Sequence, residues 1–389
     1  MKKLLILLSL LICVPALKAQ DAQPVYSYAL VKESPEWYHL QIKNWREIVE
    51  KDPSQHIAWY YIYYATRNAQ RTDPKDTRPD SVKLKEMSDL VDEIGRKAPD
   101  SYEFNLVTWM HHGNDFTYIK YLNRAMELGP NRIEHVDFVI NQGELDRDLK
   151  KRNDALLRKW EAGLISPGMT NYNYNALAGL KEKSILLTAG DNDTYPAWYA
   201  QAKGLRTDVI VMNLSLILLD DYRGKLFEEL GINQELKVNW EAKDESDPNH
   251  YKNFYKRLIS TLLSNKKGYT LYVGCTAMGY KDLVNEHKSN LYLTGLAYEY
   301  SEESVDERAL LKKNFEQVYA LDYLLVHYYQ DISENLVPVI NHNYLVPMLK
   351  LYDHYKLSGD KTRMEWLKTY LLAACKGSDS EKEVLKLLQ

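Results

Sequence analysis

Two carboxylates and an amide close a short apolar run: Asp191, Asn192 and Asp193 follow SILLTAG. Hard oxygen atoms at that spacing suit Ca²⁺ or Mg²⁺, or the hydroxyls of a sugar. Thr194 adds a hydroxyl, and Tyr195, Trp198 and Tyr199 supply rings on which a sugar could lie. The next apolar run opens with Arg206 and Asp208, which could pair with each other or with the acidic loop, and carries Asn213 at its far end. The candidate ligand-binding residues are therefore Asp191, Asn192, Asp193, Thr194, Tyr195, Trp198, Arg206, Asp208 and Asn213. Asp191 and Asp193 are the candidate metal ligands, Ca²⁺ or Mg²⁺ the candidate cofactor, and no residue is assigned a catalytic role. A plainer reading uses the same residues. Asp193 or Thr194 would cap a helix, Pro196 suits a first turn, and acids favour a helix N-terminus.

The elements that must position these residues alternate. KSILLTAG (183–190), TDVIVMNLSL (207–216), GYTLYVGC (268–275) and NLYLTGLAY (290–298) are short runs rich in branched and aromatic side chains, hence buried strands. Helical patterns lie between them, in PAWYAQAKG, DDYRGKLFEELG and HYKNFYKRLISTLLSN, and EAKDESDPNH (241–250) reads as a surface loop. Alternation of this kind implies crossover units and a mostly parallel sheet. In such a sheet ligands bind outside the carboxyl ends of the strands, where Gly190–Thr194 would sit, with Gly190 permitting a tight turn.

Around this segment the pattern is helical. Prolines at 53, 99 and 130 punctuate it at spacings of 46 and 31 residues, near the period of helix-turn-helix arrays. Ala125–Leu128 with Pro130, and Asp52, Pro53, Ala58, Trp59, Tyr60 and Ile62, resemble junctions of the tetratricopeptide family. Tyr63 stands where that repeat usually carries a small residue. YLVPMLKLYDHYKLSGDKTRMEWLKTYLLAAC near the C-terminus reads as two helices around an SGD turn. The expected fold class is α/β plus α, a small mostly parallel sheet domain flanked by tetratricopeptide-like helical hairpins. The expected domains are 1–19 (signal peptide), 25–150 (helical repeat), 180–302 (α/β with the GDNDT turn) and 306–389 (C-terminal helices).

Composition bounds the function. Lys2 and Lys3, the apolar run Leu4–Val14 and the exit PALKA form a signal peptide cut after Ala19. Ile12 before Cys13 argues against lipidation. No later segment reaches about 18 uninterrupted apolar residues, so the mature chain has no transmembrane segment and is expected to be exported, periplasmic or outer-envelope associated. The formal charge of −4 becomes −7 once Lys2, Lys3 and Lys18 leave, and no basic cluster points to nucleic acid. Only Cys275 and Cys375 remain, and nothing in their spacing places them together. The chain has 31 Tyr against 6 Phe. Such rings suit half-wet packing in amphipathic helices or a sugar- or peptide-binding groove.

Catalytic signatures fit poorly. A haloacid dehalogenase-type Asp-x-Asp-x-Thr/Val motif would need Thr or Val where Tyr195 stands. The sequence carries no GxSxG elbow, phosphate-binding glycine loop or HExxH helix. His111 and His112 are adjacent and diverge, and His342 has no evident second ligand. Glycoside hydrolysis needs two carboxyls roughly 5–10 Å apart across a sugar, so Asp191 or Asp193 would require a partner such as Asp220 or Asp221.

The stretch GDNDTYPAWYAQAKGLRTDVIVMNLSLI resembles the soluble extracytoplasmic domain of a bacterial multi-pass membrane protein family of unknown function, related to protein O-mannosyltransferase-like glycosyltransferases. LYLTGLAYEY (291–300) resembles the strand that closes the same domain. The resemblance spans about Lys181–Glu302. In such transferases the catalytic acid lies in a loop between membrane helices, and this chain has no counterpart. The resemblance therefore implies an accessory domain in which Asp191 and Asp193 bind a metal or glycan, or hold the loop that does. The expected function is an exported, non-catalytic binding or scaffold protein of the bacterial envelope, accessory to glycoconjugate or protein glycosylation and assembly. Its partner would be an envelope protein or glycoconjugate. The alternative is a soluble glycan-acting enzyme with its site at Asp191 and Asp193.

Overall fold

The computed structural model describes residues 21–113, 115–238, 249–264, 267–326 and 329–388. The expected signal peptide with Cys13, and most of the loop at 241–250, lie outside them. The chain divides into two compact units. The first holds residues 21–26 and Glu33–Tyr121, the second Ser27–Lys32 and the residues from Leu122 onward.

The first unit is helical: α1 (Pro35–Lys51), α2 (Ile57–Thr72), α3 (Asp80–Lys97) and α4 (Tyr102–His111). Ser34 caps α1 by accepting the Trp37 N–H, and Pro35 occupies the first turn, where a missing N–H costs nothing. Helix α1 packs on α2, and α3 on α4. Tyr63 is buried in the core of this unit beside Trp59 and Ile62 on the same helix, so its bulk is accommodated.

After α5 (Ile119–Leu128), the second unit runs through α6 (Val136–Leu145), α7 (Leu149–Glu161) and α8 (Pro167–Ala178) into the sheet. There β1 (Ser184–Thr188), α9 (Asp191–Ala202), β2 (Ile210–Asn213), α10 (Asp220–Leu230), α11 (Asn249–Ser264) and β3 (Thr270–Gly274) alternate. Next come α12 (Lys281–Val284), the hairpin β4 (Leu291–Leu293) and β5 (Ala297–Tyr300), and the helices α13 (Glu307–Lys313), α14 (Val337–Asn341), α15 (Leu345–Ser358), α16 (Lys361–Cys375) and α17 (Glu381–Leu387).

The strand order is β2-β1-β3-β5-β4. Strand β1 is parallel to β2 and β3, whereas β3–β5 and β5–β4 are antiparallel. The sheet is thus mixed, which corrects the mostly parallel sheet expected from the sequence. The reason is Gly295. Its φ of +154° is closed to L side chains, and a Cβ there would lie 2.0 Å from the Tyr319 hydroxyl. The chain reverses at this glycine, so the run read as one strand is two short antiparallel ones.

Strands β1 to β3 are covered on both faces, which is why they read as continuous apolar runs. Leu186, Val211 and Tyr272 pack with Trp198 and Tyr199 of α9. Ile185, Leu187, Met212 and Val273 pack with Leu226, Phe254 and Leu258 of α10 and α11. A third core joins Met169 and Tyr172 of α8 to Tyr344, Met348 and Leu367. Part of the tyrosine abundance serves these interiors, where Tyr222 donates to Glu144 at 2.7 Å and Tyr272 to Glu299 at 2.8 Å.

Candidate functional site

The connection β1–α9–β2 runs over one sheet face and β2–α10–α11–β3 over the other, so the strand order reverses between β1 and β3. That switch point is the usual crevice of an open α/β sheet. Two turns meet there, Ala189–Gly190 after β1 and Cys275–Ala277 after β3.

Asp193 joins them. Its carboxylate accepts the backbone N–H of Ala189 and of Gly190, each at 2.7 Å, and the hydroxyl of Thr276. Helix α9 begins at Asp191 with Gly190 as its N-cap, so Asp193 sits in the first turn and reaches back to the cap backbone. Burial dominates and leaves the Asp193 carboxyl above the usual carboxylate range, although the Thr276 hydroxyl and the two amides pull it down. Gly190 is not required sterically: its backbone is extended (φ −150°), and a Cβ would meet nothing within 4 Å.

Pro196 lies inside the helix rather than in its first turn and cannot donate to the Asn192 carbonyl four residues back. Asn173 of α8 donates its side-chain N–H to that carbonyl at 2.9 Å. Thr194 bridges the strand ends, its hydroxyl 2.7 Å from that of Thr188 and accepting the Asn213 amide at 2.9 Å. The Asn213 oxygen accepts the N–H groups of Ser215 and Leu216, closing the turn after β2.

The remaining candidates separate. Trp198 is completely buried, its indole N–H donating to the Val211 carbonyl at 3.3 Å and its ring under the Arg152 guanidinium, so it offers no face to a ligand. Arg206 and Asp208 lie at the opposite end of the sheet, before the strands begin. Arg206 donates to the Leu177, Leu180 and Lys181 carbonyls and forks onto Asp208, which also accepts the Lys183 N–H. The pair therefore fastens the end of α8 to the entry of β1, and Arg206 holds the Asp208 carboxyl at about 2. Asp220 and Asp221 are engaged on α10 by Arg223 and Lys225.

Asp191 and Asn192 line a cavity of about 40 Å³ with Tyr195, Lys159, Asp137 and Ser166. At about 10–15 Å³ per water this holds a few waters and no sugar ring. Lys159 forms an ion pair with Asp137 and lies 4.9 Å from the centre of the Tyr195 ring, whose hydroxyl donates to Asn141 at 2.9 Å. Among the described residues no group of three His, Cys, Asp or Glu could hold a metal ion. Asp191 and Asp193 diverge from the helix, one toward the cavity, the other onto amide and hydroxyl donors.

Thr276, Asn173 and Lys159 were not among the residues singled out from the sequence. Thr276 had one signal, its place directly after an apolar run that ends in Gly274 and Cys275. Among the described residues Cys275 and Cys375 are free, and burial pushes the Cys275 thiol up to about 12.

Residues 169–299, from α8 to β5, match the family model of TMEM260-associated domain 2. That stretch contains Asn173, the GDNDT turn, Asn213 and Thr276. No curated protein and no solved structure matches the chain. Among the described residues no helix is long and apolar enough to cross a membrane.

Proposed function

We propose that this chain is an exported, non-catalytic binding or scaffold component of the bacterial envelope, accessory to glycoconjugate or protein glycosylation and assembly. The observation that carries the reading is the engagement of Asp193. A buried carboxylate that accepts two backbone N–H groups and the hydroxyl of the half-buried Thr276 stabilises a turn; it is not presented to a substrate as acid, base or metal ligand. Thr194 and Asn213 are closed in the same way. The link to glycosylation draws on the resemblance of the GDNDT segment to a family related to O-mannosyltransferase-like glycosyltransferases, with which the match of residues 169–299 to TMEM260-associated domain 2 is consistent. The paired helices of the first unit supply a further surface on which a partner polypeptide could be held.

The test is retention. The mature chain, immobilised and passed over envelope extract, retains a defined protein or glycoconjugate after salt washing, and releases no sugar from it. Retention of nothing specific contradicts the proposal. Sugar release that Asp191→Asn abolishes would instead establish the enzyme reading.

A further inference from the structure

In the first unit, residues 21–26 (DAQPVY) form neither helix nor strand, and side chains of α1 and α2 grip their main chain. The Gln41 oxygen on α1 accepts the Gln23 N–H at 2.7 Å, and the Trp45 indole on the same helix donates to the Gln23 carbonyl at 2.8 Å. The Asn68 amide on α2 donates to the Tyr26 carbonyl at 2.7 Å. Pro24 biases Gln23 toward extended backbone, and three residues of extended chain span about 10 Å from one grip to the other. Between the grips Val25 is 1% exposed, whereas Gln23 and Pro24 are exposed. The strap is thus held by its main chain at both ends and by one small branched side chain between them. Extended peptides are recognised in this way, main-chain bonds giving affinity and a side-chain pocket giving specificity.

Gln41 and Asn68 are buried, and each spends only one end of its amide on the strap. Those bonds fix which way each amide faces, since reversing either would set donor against donor or acceptor against acceptor. The Gln41 Nε2 and the Asn68 Oδ1 are then left with no partner among the described residues. A buried donor and a buried acceptor without partners cost free energy. The strap therefore seats with a deficit that an extended segment offering one more carbonyl and one more N–H removes. We propose that the α1–α2 face is a main-chain clamp for an extended polypeptide segment with a branched apolar side chain at its centre, and that residues 21–26 occupy it as a built-in competitor that the partner segment displaces. The proposal rests on the binding reading above and deepens it, naming the surface that grips the partner and the form of chain it takes.

The test uses the full mature chain and a fluorescein-labelled, C-amidated peptide of the strap's own sequence, DAQPVYS. Val25→Asp loosens the strap in cis and opens the clamp. The peptide is titrated by fluorescence anisotropy against the wild type, Val25→Asp, and Val25→Asp combined in turn with Gln41→Leu, Asn68→Leu and Trp45→Phe. Melting curves verify folding, and Trp45→Phe, at a half-buried position, keeps the test open if an amide change unfolds the unit. A strap held in cis at an effective concentration in the millimolar range requires a dissociation constant in trans below about 1 mM. The expected result is binding to Val25→Asp at least about tenfold tighter than to the wild type, weakened about tenfold by each clamp substitution. No binding to Val25→Asp by about 1 mM overturns the proposal, as do affinities within about twofold across the folded proteins. The retention experiment is repeated with Val25→Asp/Asn68→Leu. An envelope partner that this variant holds as well as Val25→Asp does would refute the clamp and leave the binding reading standing, whereas retention of nothing by any of the proteins would remove the binding reading itself.

Discussion

The side chain of Asn173 donates to the backbone carbonyl of Asn192 at 2.9 Å, the carbonyl that Pro196 leaves without its helical partner. A proline at this position is tolerated because another helix supplies the missing donor. Asn173→Ala removes that donor, and a second to the Met169 carbonyl. The expected loss is about 1–3 kcal/mol in urea unfolding. In a Pro196→Ala background the helix can make its own bond, so Asn173→Ala should cost less by at least about 0.5 kcal/mol. Equal costs in the two backgrounds would show that the two residues are not coupled.

Glu144, 1% exposed at its side chain, accepts from Arg152 at 2.5 Å and from the Tyr222 hydroxyl, and pairs with Arg147. Arg152 is itself buried against Trp198. Glu144→Leu strands that guanidinium and should destabilise the protein by about 3–5 kcal/mol. Glu144→Leu with Arg152→Leu should cost clearly less than the sum of the single changes. Additive losses, measured by chemical denaturation, would contradict the pairing.

At Gly295, alanine must adopt a strained φ and meet the Tyr319 hydroxyl. The expected cost of Gly295→Ala is about 2–3 kcal/mol, combining strain and overpacking. Tyr319→Phe removes the oxygen that the new methyl strikes, so the double variant should recover part of the loss. No recovery would place the whole cost in the backbone.

The Arg206–Asp208 pair gives a pH signature. Asp208 has its carboxyl lowered, first by hydrogen bonds from Arg206. A depressed acid contributes stability above its unfolded value near 4, and that contribution is lost as pH falls through about 2. Wild type should therefore melt above Asp208→Asn at neutral pH, with the gap closing between about pH 4 and pH 2. A gap that stays constant with pH would show that the carboxylate charge is not what Arg206 holds.

Strands β1, β2 and β3 were legible because each is buried on both faces, which imposes an uninterrupted apolar run. The hairpin was not, because Gly295 interrupts the apolar run of 290–298 by a single residue, and the Tyr319 hydroxyl that leaves no room for a side chain there comes 24 positions later. At the candidate site the acids allowed two readings, ligand and cap. Asp193 is resolved by Thr276, 83 residues away, a contact that local pattern cannot show. Arg206 and Asp208, expected to pair with each other or with the acidic loop, pair with each other and lie at the other end of the sheet. Nothing in spacing tells which end of a strand a loop residue will face until the strand's limits are fixed.

The central claim is that Asp193 holds a turn while Asp191 faces the cavity. Its most direct test is the melting temperature of the mature wild type, Asp191→Asn and Asp193→Asn, each with and without Ca²⁺, Mg²⁺, Mn²⁺ and a sugar panel. The expected result is that Asp193→Asn melts several degrees lower, corresponding to about 2–3 kcal/mol and more than Asp191→Asn loses, and that no cation acts through Asp193. A cation that raises the wild-type melting temperature, with the rise lost in a fully folded Asp193→Asn protein, would contradict the claim and make the carboxylate a ligand.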